Sequence, residues 1–173
     1  MALYIRNINL QDLENDTMVS EIEQTRPDTA EALALIKELD DYLIPLSPPE
    51  SRHGYSVDKL IEQKVQFFVL RHDGEPAGCG GIQFFEPEDE PPYAELKRMY
   101  VRPAFRGLGL ARAMLGHLEK ETAERGVKLM RLETGIAQQD AVRLYERWGF
   151  TQIPPFGSYQ LDPNSLYYEK EVA

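Results

Sequence analysis

Ala32, Leu35, Ile36, Leu39 and Leu43 recur at three- and four-residue intervals, so a helix is predicted over residues 29 to 43. Asp28 followed by Glu31 fits a capping box at its start, and Pro45, Pro48 and Pro49 break it. Upstream, Val19 to Thr25 alternates weakly, as a strand would, and Arg26-Pro27-Asp28 ends it. Ser56 suits the cap of a short helix running to about Lys64. Val65 to Arg71 is rich in strand formers. His72-Asp73-Gly74-Glu75 then reads as a hairpin turn, with Pro76 to Phe85 as the returning arm, loosened by Gly78, Gly80 and Gly81. The acidic, proline-rich run from Glu86 to Pro92 is a surface loop.

The second half repeats the alternation of periods. Ala94 to Val101 is a strand, and Leu108, Ala111, Leu115, Leu118 and Thr122 form one face of the following helix. Gly126 suits a left-handed cap, and Lys128 to Thr134 is the next strand. Ala141, Leu144, Tyr145 and Trp148 form another helical stripe, ended by Gly149. Phe150 to Ile153 and Leu166 to Glu171 are strands around the loop Pro154 to Ser165. This order predicts an α/β domain, a mixed sheet with helices on both faces, over residues 18 to 173. Residues 1 to 17 are an extension of it, or contain an extra strand at Leu3 to Ile8.

Composition narrows the function classes. Hydrophobic residues make up 42% and charged residues 28% of 173 residues, which fits one globular domain with a core. No run approaches the roughly 20 apolar residues of a membrane helix, and the start lacks a signal-peptide pattern, so cytoplasm is expected. The single cysteine, Cys79, excludes an intrachain disulfide framework. A net charge of −10 argues against nucleic-acid binding. It serves solubility, and equally permits a cationic amine substrate. His53, His72 and His117 lack metal-ligand spacing, so no metal is predicted.

The most informative segment is Arg98 to Ala111. A strand ends at Val101, and Arg106-Gly107-Leu108-Gly109-Leu110-Ala111 opens the next helix. Glycines at such a junction let backbone N–H groups approach an anion, and the positive helix end favours it. A dinucleotide turn needs a small residue where Arg112 stands, and a P-loop needs Gly-Lys followed by Ser or Thr. What fits is Arg-x-x-Gly-x-Ala, at Arg106, Gly109 and Ala111, which resembles the coenzyme A signature of the GNAT superfamily of N-acetyltransferases. Tyr145-Glu146-Arg147-Trp148-Gly149-Phe150, roughly 35 residues on, looks like the family's second signature.

The resemblance implies a central, mostly antiparallel twisted sheet of six or seven strands splayed in the middle. It implies acetyl-CoA as cosubstrate and a primary amine as acceptor, here expected to be a small molecule. Acetylation of a protein or peptide and a non-catalytic acyl-CoA sensor are the alternatives. Pantetheine would pair with the backbone of Met99, Tyr100 and Val101, and the pyrophosphate would sit on amides from Arg106 through Gly107, Leu108, Gly109 and Leu110 to Ala111. Gln138 stands where many relatives have an asparagine that contacts the cofactor. Members often pair, so a homodimer is compatible with the sequence.

An alkyl ammonium has a pKa near ~10.4, so freeing its lone pair at pH 7 costs about 4–5 kcal/mol. A base must recover part of this, and the leaving thiolate needs a proton. Tyr145 matches the family's acid, although its helical stripe would also suit a core aromatic. Glu95 is a candidate base, because alternation puts Glu95, Lys97, Met99 and Val101 on one face; a salt bridge to Lys97 or Arg98 is the alternative. Tyr42, Arg52, His53 and Tyr159 are candidates for the acceptor side, or plain loop residues. Cys79 lacks an evident histidine partner for nucleophilic catalysis.

Overall fold

In the computed structural model, residues 20–173 are described. The readings for residues 1 to 17 and for Val19 lie outside the described residues. Seven strands form one sheet: β1 (Ser20–Thr25), β2 (Gln66–His72), β3 (Glu75–Phe85), β4 (Tyr93–Val101), β5 (Leu129–Gly135), β6 (Thr151–Ile153) and β7 (Ser165–Glu171), in the order β1-β2-β3-β4-β5-β7-β6. Every pairing is antiparallel except β4 with β5. Helices α1 (Ala30–Leu43) and α2 (Val57–Glu62) pack on one face against Phe67, Val69, Cys79 and Tyr100. Helices α3 (Leu110–Glu124) and α4 (Gln139–Arg147) pack on the other against Phe68, Leu70, Ile82, Leu96 and Leu132. No helix among the described residues is long and apolar enough to cross a membrane.

Local chemistry explains most boundaries. The hairpin closes on Asp73 and Gly74, at φ of 49° and 81°, the conformation that Asp-Gly tolerates best. The cap of α1 is Thr29 rather than Asp28. Thr29 lies in an extended conformation and accepts from the Ala32 N–H at 3.4 Å, whereas Asp28 is held by Arg26 at 2.9 and 2.7 Å. α3 begins at Leu110, later than expected. Its buried face is Leu110, Met114, Leu115, Leu118 and Thr122, while Leu108 stays in the turn and is 46% exposed.

Two irregularities in the sheet create the site. β4 and β5 pair only at Tyr93–Leu129, Ala94–Met130 and Glu95–Arg131, then diverge while each runs on, to Val101 and Gly135. Beyond Glu95, the edge of β4 that faces β5 therefore has no strand partner. Second, Arg98 adopts φ of 55°, and the register with β3 skips from Gly81–Lys97 to Cys79–Tyr100. This β-bulge inserts one residue and reverses the alternation. Met99 and Val101 accordingly pack with the α3/α4 core, together with Leu96. They do not share the face of Glu95 and Lys97, and the single-face expectation fails at Arg98.

Candidate active site

The glycine turn sits at the mouth of the splayed strands. Gly107 and Gly109 have φ of 81° and 78°, which only glycine adopts cheaply, and a Cβ on either would meet nothing within 4 Å. That open space is available to a ligand. The Arg106 N–H is spent on the Pro103 carbonyl at 3.2 Å, and its side chain donates to the Val101 carbonyl at 3.0 Å. The N–H groups from Gly107 to Ala111 carry no hydrogen bond among the described residues, because they precede or open the first turn of α3. The cradle of free amides is thus 107 to 111, one residue shorter than expected.

Three lobes, linked through shared lining residues, lie along β4 and the loops beside it. The first, of about 310 Å³, brings together Met99, Tyr100, Val101, Arg106, Gly107, Gly109, Leu110, Ala111, Gln138 and Tyr145; Leu108 is not part of it. Tyr42 also lines this lobe, with the Arg106 guanidinium 5.4 Å from its ring centre, rather than the acceptor side. A central lobe of about 350 Å³ shares Met99, Gln138 and Tyr145 with the first, and adds Arg52, His53, Lys97, Arg98 and Glu133. A third lobe of about 660 Å³ lies between residues 50–55 and 156–164 and contains Tyr55, Glu95, Lys97 and Tyr159.

Tyr145 is held by α4 at the junction of the first two lobes. Its ring packs edge-on against Phe150 at 5.9 Å, and its hydroxyl has no hydrogen bond among the described residues. Burial, and secondarily the charge of Glu133, push its pKa up, so the hydroxyl keeps its proton. Glu133, on the free stretch of β5, accepts from Ser165 Oγ at 2.7 Å. Burial raises its pKa, against the Ser165 hydrogen bond and His53. A carboxyl so shifted toward neutrality is a suitable proton acceptor. Sequence reasoning missed Glu133, because it falls in an ordinary polar–apolar alternation with Leu132.

Glu95 is only 2% exposed and already paired: Lys97 Nζ and Tyr159 Oη both donate to its Oε1 at 2.6 Å. Lys97 also lies over the Tyr55 ring at 4.1 Å. Burial pulls the Lys97 ammonium below its usual value and pushes the Tyr159 phenol above its own. Glu95 lines the third lobe and not the central one, so the salt bridge to Lys97 is present and the contact to Arg98 is not. Arg52 is used to brace its own loop, donating to the Ser47 and Ile44 carbonyls at 3.0 Å each. His53 Nε2 meets Asp162 Oδ2 at 3.1 Å, and Ser51 Oγ donates to Oδ1 of the same carboxylate at 3.0 Å. These contacts clasp the two loops together over the third lobe. Cys79 is buried, and its pKa is pushed up to about 12 by burial, which leaves no thiolate for acyl transfer at neutral pH.

The geometry matches known proteins along most of its length. The model of the acetyltransferase (GNAT) family matches residues 31–150. An IAA acetyltransferase from Azospirillum brasilense is 40% identical over 138 residues, covering 80% of this chain and 88% of its own. A solved Klebsiella pneumoniae structure, assigned to the acyl-CoA N-acyltransferases, is 33% identical, with a TM-score of 0.71 over 90% of this chain and 99% of that one. PaiA N-acetyltransferase from Thermoplasma acidophilum, crystallised with coenzyme A, shares the fold at 19% identity, with a TM-score of 0.69 over 89% and 99% of the two chains. With its split sheet, its bared glycine turn and these likenesses, the chain belongs to the acetyltransferase (GNAT) family.

Proposed function

We propose that this enzyme moves the acetyl group of acetyl-CoA to the primary amine of a small molecule, by direct attack within a ternary complex. One juxtaposition carries the reading: Tyr145, with its free hydroxyl, and the Glu133 carboxylate line the same central lobe, and Tyr145 also lines the cofactor lobe that adjoins it. The amides of Gly107 to Ala111 hold the pyrophosphate, and the unpaired edge of β4 at Met99 to Val101 receives pantetheine as an added strand would. The Met99 N–H polarises the thioester carbonyl.

Glu133 takes the proton of the ammonium, directly or through water, and the freed nitrogen attacks the carbonyl carbon. The adduct nitrogen loses its second proton to water; as the C–S bond breaks, Tyr145 Oη gives its proton to the leaving sulfur, and solvent restores the phenol and takes the proton from Glu133. Glu95 is assigned a structural part: it anchors Lys97 and Tyr159 and so shapes the wall between the central and third lobes. The sealed Cys79 supports direct transfer over an acyl-enzyme. The clasp between Ser51, His53 and Asp162 narrows the acceptor entrance, which favours a small acceptor over an extended peptide.

The test is thiol release from acetyl-CoA with a panel of amines, with mass detection of the product. Acetylated small amines are the expected result. Tight acetyl-CoA binding with no turnover across the panel would favour a sensor, and acetylation of peptide amines alone would favour the peptide reading.

A further inference from the structure

Three arginine or lysine side chains and His53 line the central lobe, and all but Arg98 are fully engaged. Arg52 braces its loop, His53 meets Asp162, and Lys97 is paired with Glu95. Arg98 differs. Its Nη2 donates to Asp40 Oδ1 at 2.6 Å and to the Ile36 carbonyl at 3.3 Å, which pins the guanidinium to α1. Its Nε is buried and unpartnered, and its Nη1 carries no hydrogen bond among the described residues. The side chain is 4% exposed. An arginine so far out of water with unmade donors is costly to keep unless something completes it.

The surroundings are shaped to hold it there. From the left-handed backbone of Arg98 the side chain reaches α1, at Ile36 and Asp40. Gly54, in the opposite loop, has an ordinary φ, yet a Cβ on it would stand 2.4 Å from Arg98 Nη1. A side chain at 54 would therefore displace the end of Arg98, while the backbone there would accept one. Glu133, from β5, lines the same lobe that Arg98 lines from β4. The diverging strands thus offer it a carboxylate from one and an incompletely bonded guanidinium from the other.

We infer that the acceptor is an amine bearing a carboxylate, and that Arg98, seated against Gly54, binds that carboxylate while Glu133 faces the amine. The inference rests on the acetyl-transfer reading above and specifies its substrate class. A singly charged oxyanion suits the site better than a dianion, because Asp40 and Glu133 line the same lobe in a chain of net charge −10. The planar fork of arginine matches a carboxylate in geometry as well as in charge.

The experiment uses a panel of α- and ω-amino acids, each with its carboxamide and its decarboxylated amine, assayed for thiol release and acetylated product. The acid should exceed its carboxamide by roughly 10- to 150-fold in kcat/KM, the range expected for a hydrogen bond to a charged group. The amine of an α-carboxamide is the less basic, so intrinsic reactivity works against this order. Arg98→Met and Arg98→Lys should erase most of the preference by raising KM for the acid while leaving KM for acetyl-CoA unchanged. Should Arg98→Met fail to fold, Gly54→Ala is the second probe. It displaces Nη1 without removing the contact to Asp40, and should raise KM for the acid alone with little change in melting temperature. Equal kcat/KM for acid and carboxamide, or an undiminished preference in the folded variants, overturns the inference. Acetyl-CoA binding with no member acetylated overturns instead the reading on which it rests.

Discussion

Which glutamate takes the proton can be decided by comparing Glu133→Gln with Glu95→Gln. Glutamine at 133 preserves shape and can still accept from Ser165, but it cannot take up a proton. The loss expected of a positioned base is about 10²–10⁴-fold in kcat. Stability should move the other way. The Glu133 pKa is raised in the folded state, so ionising it costs stability as pH rises from the ordinary carboxylate range through the shifted value. The variant should therefore match the parent in melting temperature near pH 4 and exceed it at pH 7. Glu95→Gln should behave oppositely. It leaves the buried Lys97 ammonium unpaired, which typically costs about 3–5 kcal/mol. Shedding the proton at pH 7 would cost about 4.6 kcal/mol, from 1.36 per unit over the gap to ~10.4, and this caps the penalty. At roughly 2–4 °C per kcal/mol for a chain of this size, melting should fall by about 6–18 °C. The deficit should then shrink by up to ~1.36 kcal/mol per pH unit once Lys97 is neutral in the fold, since its depressed pKa costs less as pH approaches the unfolded value. Calorimetric melts from pH 5 to 9, with initial rates at 20 °C where both variants are folded, check the pair. A parental rate in Glu133→Gln, or a rate loss without destabilisation in Glu95→Gln, refutes the division of labour.

Further outcomes test the rest of the site. Tyr145→Phe should lower kcat about 10²–10⁴-fold with acetyl-CoA affinity little changed, because the hydroxyl has no partner to lose; single-turnover rates and calorimetric titration separate the two. Gly109→Glu should weaken acetyl-CoA binding by more than tenfold, by placing bulk and negative charge in the open cradle, as read by titration with coenzyme A. Asp162→Ala should release the clasp to Ser51 and His53, raising KM for the acceptor about 3- to 10-fold and leaving KM for acetyl-CoA unchanged, as for loss of an ordinary hydrogen bond of ~1 kcal/mol; steady-state kinetics with each substrate varied reads it.

The residues legible in the sequence are those whose role is encoded by local spacing. The glycine turn requires positive φ at Gly107 and Gly109, and Tyr145 lies on a helix whose period is written in its neighbours. The order of elements along the chain and the apolar stripes of the helices follow from the same periodicities. The bulge at Arg98 did not announce itself, yet it alone turns Met99 and Val101 away from Glu95. Gly80 and Gly81, opposite it in β3, were the available signal, since glycine inside a strand often marks such an irregularity. The acceptor side was harder to read because its contacts join distant segments. His53 and Asp162 are 109 residues apart, and Glu95 and Tyr159 are 64 apart. Nothing in the rhythm of either segment specifies its partner. The place of Tyr42 is equally hidden: the last turn of α1 presents it to Arg106, in the first lobe.

The first and third lobes have no lining residue in common and meet only through the central one. Under the proposed reaction this makes the cleft a passage with two doors, one for each reactant, and neither molecule has to wait for the other to enter or to leave. Initial-velocity patterns should accordingly show random addition, and an inhibitor lodged at one door should leave traffic through the other intact.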